Sequence, residues 1–204
     1  MPENEIPPAR LVDIYCTINM MNKKDLIIDK SIILFTKKGY YGVGLQEILS
    51  ACDIPKGSFY YYFPKGKKQL LLEVLEKAYS SMEESIKNRL FKYDLKNSFL
   101  SMIDVLSKKL TEDKYFQSLT MSFLAIESVY LDKEINDKCI EIYTRWQKLY
   151  YEKFLSSGYD SQAALEKAQC IFALIHGSLI SSWIKQDAKD LKLIKKSVEK
   201  VIDN

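Results

Sequence analysis

The stretch from Gly44 to Gln69, GLQEILSACDIPKGSFYYYFPKGKKQ, leaves the backbone few choices, because it reads as two short helices joined by a tight turn. Leu45, Ile48, Leu49 and Cys52 fall at i, i+3, i+4 and i+7, the spacing that makes one buried stripe on an α-helix. Gly44 can start that helix. Asp53 stands where the turn needs a left-handed residue, and Asp is among the few non-glycine residues that tolerate this. Ile54 returns to the core, and Pro55 suits the first position of the second helix. That second helix, Pro55 to Phe63, is too short and too aromatic to be a core element alone.

Each helical residue advances about 100° around the axis, so Phe59 and Phe63 share a face. With that face inward, Tyr61 points outward and Tyr60 and Tyr62 flank it, which rules out burial of all three phenols. A flanking phenol can donate its hydroxyl to phosphate, and one at the crest can reach base edges or thymine methyls in the major groove. Gly57 costs about 1 kcal/mol relative to alanine inside a helix, a sign that the backbone approaches something closely, with phosphate the natural candidate. Lys56, Lys65, Lys67 and Lys68 surround the helix with positive charge. The pattern is that of a helix-turn-helix facing double-stranded DNA. Its candidate contacts are Gly44, Pro55, Lys56, Gly57, Ser58, Tyr60, Tyr61, Tyr62, Lys65, Lys67 and Lys68.

Charge is distributed to match. Between Met20 and Leu70 nine lysines stand against four acidic residues, whereas the other positions carry 21 basic and 23 acidic side chains. The formal net charge of +3 therefore conceals a local cationic segment, the footprint of a nucleic-acid-binding domain joined to an ordinary one.

The segment from Lys24 to Leu71 resembles the DNA-binding domain of the TetR (tetracycline repressor) family of bacterial regulators. Lys38-Gly39-Tyr40 matches the stop of the family's first helix. Leu45, Glu47 and Ile48 match the core of its second, and Ile54, Lys56, Gly57, Ser58, Phe59, Tyr60 and Phe63 match the signature of its third. Val43 and Gly44 replace a Thr/Ser pair, which removes a hydroxyl that caps the second helix and touches phosphate. Tyr62 stands for a common His and Asp53 for a common Gly. The junction from Phe63 to Leu70 is one residue longer than usual, as in the LmrA/YxaF-type branch. The resemblance implies an all-α protein, with a three-helix DNA-binding domain at 23–70 and a ligand-binding and dimerisation bundle at 71–204.

Seven Gly and five Pro in 204 residues that are 47% hydrophobic also favour an all-α chain. Helical patterning from Lys67 onward breaks near Lys92–Asp94, Glu112–Lys114, Asp132, Ser157–Asp160 and Asp187–Asp190. Cys16, Cys52, Cys139 and Cys170 show no CxxC spacing and there is a single histidine, so neither a zinc site nor a cofactor is expected. The sequence has no Gly-x-Ser-x-Gly and no Walker loop, which argues against an enzyme. Cys170 to Ile184 is apolar but interrupted by His176, Gly177 and serines, too short for the roughly 20 residues of a membrane span. A soluble cytoplasmic protein is expected. Residues 1–22 read as an extension, since Ile6-Pro7-Pro8 opposes a helix and the family's pattern begins only after Asn22. Either translation starts naturally at Met20 or Met21, or an arm packs on the first domain or reaches a minor groove.

Lys67 to Phe91 reads as a helix connecting the two domains. The apolar helix around Cys170 to Ile184 calls for burial on every side, one side in its own core and the other against a second copy. Gly177, Ser178, Ser181 and Ser182 would allow close approach. By the resemblance, Ser161–Gln186 and Ala188–Ile202 pair with their twins in a homodimer, which suits palindromic DNA. Tyr115, Met121, Trp146, Tyr150, Phe172 and His176 are the candidate ligand contacts, within a larger aromatic set that includes Phe116, Phe123, Tyr143, Phe154 and Trp183. Taken singly, each is better explained as core, and His176 as a core histidine bonded to a neighbouring hydroxyl or carbonyl. Together they favour a small apolar or aromatic inducer, with Gln117, Ser122 and Glu127 as further polar candidates. The expected function is a repressor released by that inducer. A DNA-bound scaffold governed by a protein partner is the alternative, and a core without a cavity would favour it.

Overall fold

A computed structural model describes the backbone of residues 8–112 and 117–203, and the side chains of 23–112 and 122–203. All regular structure among these residues is helical: α1 (Pro8–Lys38), α2 (Leu45–Cys52), α3 (Lys56–Tyr62), α4 (Lys67–Lys92), α5 (Leu95–Glu112), α6 (Gln117–Ser128), α7 (Lys133–Ser156), α8 (Ser161–Lys185), α9 (Lys189–Leu193) and α10 (Lys195–Asp203). The chain divides into two units, parting between Val74 and Leu75 inside α4.

The expectation that helix begins only after Asn22 is corrected: α1 starts at Pro8. Proline is tolerated in a first turn because its missing N–H has no intrahelical partner there, and no Gly or Pro follows until Gly39. Residues 8–22 thus continue α1 instead of standing apart from it. Gly39, at φ 68, ends the helix. Gly42 allows the chain to turn close beneath it, since a Cβ there would lie 2.2 Å from the Lys38 carbonyl oxygen.

The first unit's core draws Ile27, Ile28, Ile32 and Phe35 from α1, Ile48, Leu49 and Cys52 from α2, and Phe59 and Phe63, all buried. In the second unit, Phe99, Trp146, Tyr150, Phe154, Ile171, Phe172 and Ile175 are buried on α5, α7 and α8. Aspartates explain three of the helix breaks. The Asp94 side chain accepts from Asn97 N at 2.9 Å, Asp132 from Glu134 N at 2.9 Å, and Asp160 from Gln162 N at 3.0 Å and Ala163 N at 2.9 Å. Each satisfies amide groups that a helix start leaves without a partner. The break at 112–114 lies partly outside the described residues. The single last helix expected at 188–202 is divided at Ile194, between α9 and α10.

α8 spans 25 residues and is, by length and composition alone, apolar enough to cross a membrane. The apolar run from Cys170 to Ile184 lies inside this longer helix. What decides its placement is that Ala164, Ala168, Ile171, Phe172, Ile175 and Leu179 are buried along one side of the helix within a helical unit.

Candidate DNA interface and ligand cavity

The turn into α3 rests on Asp53, at φ 52 and ψ 52. Its amide donates to Ser50 O at 3.3 Å and the Ile54 amide to Leu49 O at 3.1 Å, a Schellman closure that satisfies the last carbonyls of α2. Pro55 is the N-cap of α3, extended at ψ 154, one position earlier than expected, and Phe63 caps the other end. Between them the angular reading of the helix holds: Phe59 and Phe63 are fully buried, Tyr61 is 64% exposed, Tyr60 is 42% exposed, and Tyr62 is half-buried.

Gly44, Pro55, Lys56, Gly57 and Lys65 are exposed, and Ser58 and Lys68 are partly so. Gly57, Ser58, Tyr61 and Tyr62 line a shallow depression on the outer face of α3. A Cβ added to Gly57 would meet nothing within 4 Å, so nothing among the described residues requires glycine there. Gly44 is the N-cap of α2 with no side-chain cap.

Lys67 is the correction to the cationic set. Its ammonium donates to Tyr40 O at 2.7 Å and Val43 O at 2.8 Å and sits 4.0 Å from the centre of the Tyr40 ring. It braces the loop between α1 and α2, and its charge is directed to those carbonyls instead of outward. Two further contacts fix the surface: Lys38 pairs with Glu47 at 2.7 Å and Lys24 with Glu73 at 2.7 Å. The Phe63 to Gly66 junction turns at Gly66, at φ 73, a value that favours glycine.

In the second unit a cavity of about 260 Å³ lies among α4, α5, α7 and α8. Four of the six candidate ligand residues, Trp146, Tyr150, Phe172 and His176, line it. Tyr115 and the side chain of Met121 lie outside the described residues, as do Phe116 and the side chain of Gln117. The imidazole of His176 stacks on Phe172 at 4.0 Å and lies 5.6 Å from the Trp146 ring. Burial pushes its pKa down to about 4, so it is neutral near pH 7. His176 Nδ1 and Trp146 Nε1 are buried without a hydrogen-bond partner among the described residues. Among the described residues the Tyr150 hydroxyl finds only the Met102 sulfur, at 3.2 Å, a weak acceptor.

Other members of the aromatic set lie elsewhere. Phe123 is exposed, Phe154 stacks on Phe99 at 5.6 Å, and Trp183 packs against Leu110, Leu179, Ala188 and Leu191. Tyr143 contacts Trp146, Phe172 and His176 from behind the cavity wall. Ser122 hydrogen-bonds Tyr143, and neither Ser122 nor Glu127 lines the cavity. Ser182 is likewise not available for close approach of a partner: it is buried, and its hydroxyl accepts from Leu191 N at 3.0 Å. Ser181 hydrogen-bonds Asp190. Sequence reasoning missed Arg89 and Lys109, which line the cavity from α4 and α5. The available signal was the run Met82, Ile86, Arg89 at i, i+4, i+7, one face of α4.

Residues 96–197 match the family described as transcriptional regulator LmrA/YxaF-like, C-terminal domain, and residues 27–74 match the bacterial regulatory proteins of the tetR family. The chain is 28% identical over 175 residues to the HTH-type transcriptional regulator LmrA of Bacillus subtilis, covering 83% of this chain and 91% of that protein. It is 23% identical over 181 residues to the regulator YxaF of the same organism, covering 87% and 93%. Among solved structures, the fold is similar to that of reduced NemR from E. coli, with a TM-score of 0.80 at 18% identity, covering 88% of this chain and 96% of that one. These families and relatives are transcription regulators, not enzymes.

Proposed function

The chain belongs to the TetR family of bacterial transcriptional regulators, with an LmrA/YxaF-like C-terminal domain, and on that premise we propose that it is a homodimeric repressor released from a palindromic operator by a small apolar or aromatic ligand. The observation that carries the DNA half is the division of α3, with two phenylalanines buried and two phenols exposed beside Lys56 and an unobstructed Gly57. Tyr61 reads base edges, while Lys56, Lys65, Tyr60 and Tyr62 hold phosphates.

Dimerisation is assigned to the outward face of α8. Leu165, Ala173, Gly177 and Ile184 are exposed there, an apolar stripe at helical spacing whose inner counterpart is buried. A twofold axis through that face pairs two recognition helices, hence the palindrome. The cavity supports a ligand-driven switch over a protein-governed scaffold, because the scaffold reading is favoured by a closed core. α4 is the proposed transmitter: one continuous helix begins at Lys67 in the DNA-binding unit and lines the cavity from Ser81 to Arg89.

The test is a palindrome selected from random duplexes by the purified chain, with affinity followed by fluorescence anisotropy. The log of affinity falls with log salt at about −0.9 per phosphate neutralised, and Tyr61→Ala relaxes base preference within the half-site. A flat salt response, or selection of single unpaired half-sites, defeats this reading.

A further inference from the structure

The described lining of the second-unit cavity contains no acidic side chain, and it contains two cations, Arg89 and Lys109. Neither cation has an ion-pair partner among the described residues, whereas Arg145 nearby on α7 is held by Glu76, Glu83 and Glu141. Glu76 also pairs with Lys138 at 2.6 Å. Glu84 belongs to an adjoining depression that shares Ser81, Ser85 and Arg89 with the cavity, and Lys92 accompanies it there. Inside, the Trp146 indole N–H has no acceptor and the Tyr150 hydroxyl only a thioether among the described residues, while His176 Nδ1, also without a partner there, donates or accepts according to tautomer.

An aromatic lining also suits cations, through the negative faces of the rings. Here two unpaired positive side chains oppose that choice, and a buried cation without a counter-charge is disfavoured. Oxygen acceptors on an anion answer both deficits at once: they take the indole and phenol donors, and they pair with guanidinium or ammonium. The volume of about 260 Å³ lies just under the range of roughly 300–1,000 Å³ usual for ligand pockets, which suits one or two rings.

We infer that the cavity selects the anion of a small aromatic acid over a hydrophobic cation, with the ring among Trp146, Phe172 and His176 and the acid group held by Arg89 or Lys109. This rests on the ligand-responsive reading above and specifies its ligand class.

The experiment titrates the full chain with three probes of one shape, 2-naphthoate, 2-naphthamide and 2-naphthylmethylammonium, by calorimetry and tryptophan fluorescence, free and with the selected palindrome. 2-Naphthoate binds at least tenfold tighter than the amide, and the ammonium binds weakest. Arg89→Gln combined with Lys109→Gln removes the advantage of the acid and leaves the amide unchanged, while Arg89→Lys with Lys109→Arg retains most of it. Thermal melting of each variant checks that it is folded. Equal or tighter binding of the ammonium, an advantage of the acid that survives the double glutamine variant, or binding of none of the three overturns the inference. The two readings separate on the DNA arm. Release of the palindrome by the ammonium alone sustains the inducer and sinks the acid, whereas tight naphthoate binding with unaltered DNA affinity sustains the acid and sinks the inducer.

Discussion

The aromatic residues of α3 and those of α7 and α8 follow the same helical period and meet opposite surroundings. In the seven residues of α3, Phe59 takes the inner face and Tyr60 and Tyr61 are left outside. In α7 and α8, Trp146, Tyr150 and His176, aromatics with polar edges, line a cavity together with Phe172. There two of their polar atoms have no partner among the described residues and a third has only a thioether. Around the DNA-facing helices the braces are made, Lys67 having its two carbonyls and the α2 turn closing its own hydrogen bonds, while Ser31 Oγ on α1 is buried without a partner among the described residues. An interior with unmet donors is stabilised by whatever satisfies them, which is the property a ligand-responsive unit needs.

Phe59→Ala tests the contrast most severely. Removing a fully buried ring costs roughly 3–5 kcal/mol, enough to unfold a small helical unit, whereas Tyr61→Ala on the same helix changes stability by no more than about 0.5 kcal/mol. Chemical denaturation of the two variants measures the difference. Similar losses would mean that the inner and outer faces of α3 are not distinct.

The cavity offers the next largest effect, through pH. The folded-state pKa of His176 is lowered by burial to about 4, against about 6.5 unfolded. Above pH 6.5 its contribution to stability is fully present. As pH falls from 6.5 toward 4 the unfolded chain takes up a proton that the folded chain refuses, and stability declines by about 3 kcal/mol at most. His176→Gln flattens that part of the profile, and the difference between the two urea-midpoint curves isolates it from the carboxylates. Superimposable curves would show that the imidazole is not held neutral.

Lys67→Met addresses the brace. Leaving the Tyr40 and Val43 carbonyls without their donor costs about 1–3 kcal/mol, while Lys56→Met leaves melting unchanged and lowers DNA affinity at low salt. If the two variants instead share one phenotype, weaker DNA binding with intact stability, Lys67 is a phosphate contact after all. That lysine also marks where sequence reading stops. The division of α3 was legible because it depends on period alone, and the breaks near Asp94, Asp132 and Asp160 because patterning is local, though their capping bonds came only from the structure. The partners of Lys67 lie 24 and 27 residues away in sequence, and no pattern within the helix names them. The period of α4 puts Arg89 on one face with Met82 and Ile86, but that this face and Lys109 on α5 border one cavity is not in any local pattern. Ser182 reads as a small surface residue until its bond to Leu191 N is seen.

The smallest expected effect is at Gly44, where the family's hydroxyl is missing. Gly44 has the extended backbone of an N-cap, φ −81 and ψ 154, and a Cβ there meets nothing within 4 Å. Gly44→Ser therefore fits without strain, and its hydroxyl oxygen can accept from the amide of Gln46 or Glu47. Glu47 stands three residues on, as a capping box requires, but its carboxylate is engaged by Lys38 at 2.7 Å, which limits the reciprocal bond. The gain over glycine is then a few tenths of a kcal/mol, on the order of 1 °C in Tm for a chain of this size. DNA affinity separates two roles for the position. If the serine variant melts higher and binds the palindrome more tightly with unchanged base preference, the hydroxyl adds a phosphate contact at the start of α2. If it melts higher and binds more weakly, the backbone of Gly44 itself approaches the duplex, and the absence of a side chain is part of the interface.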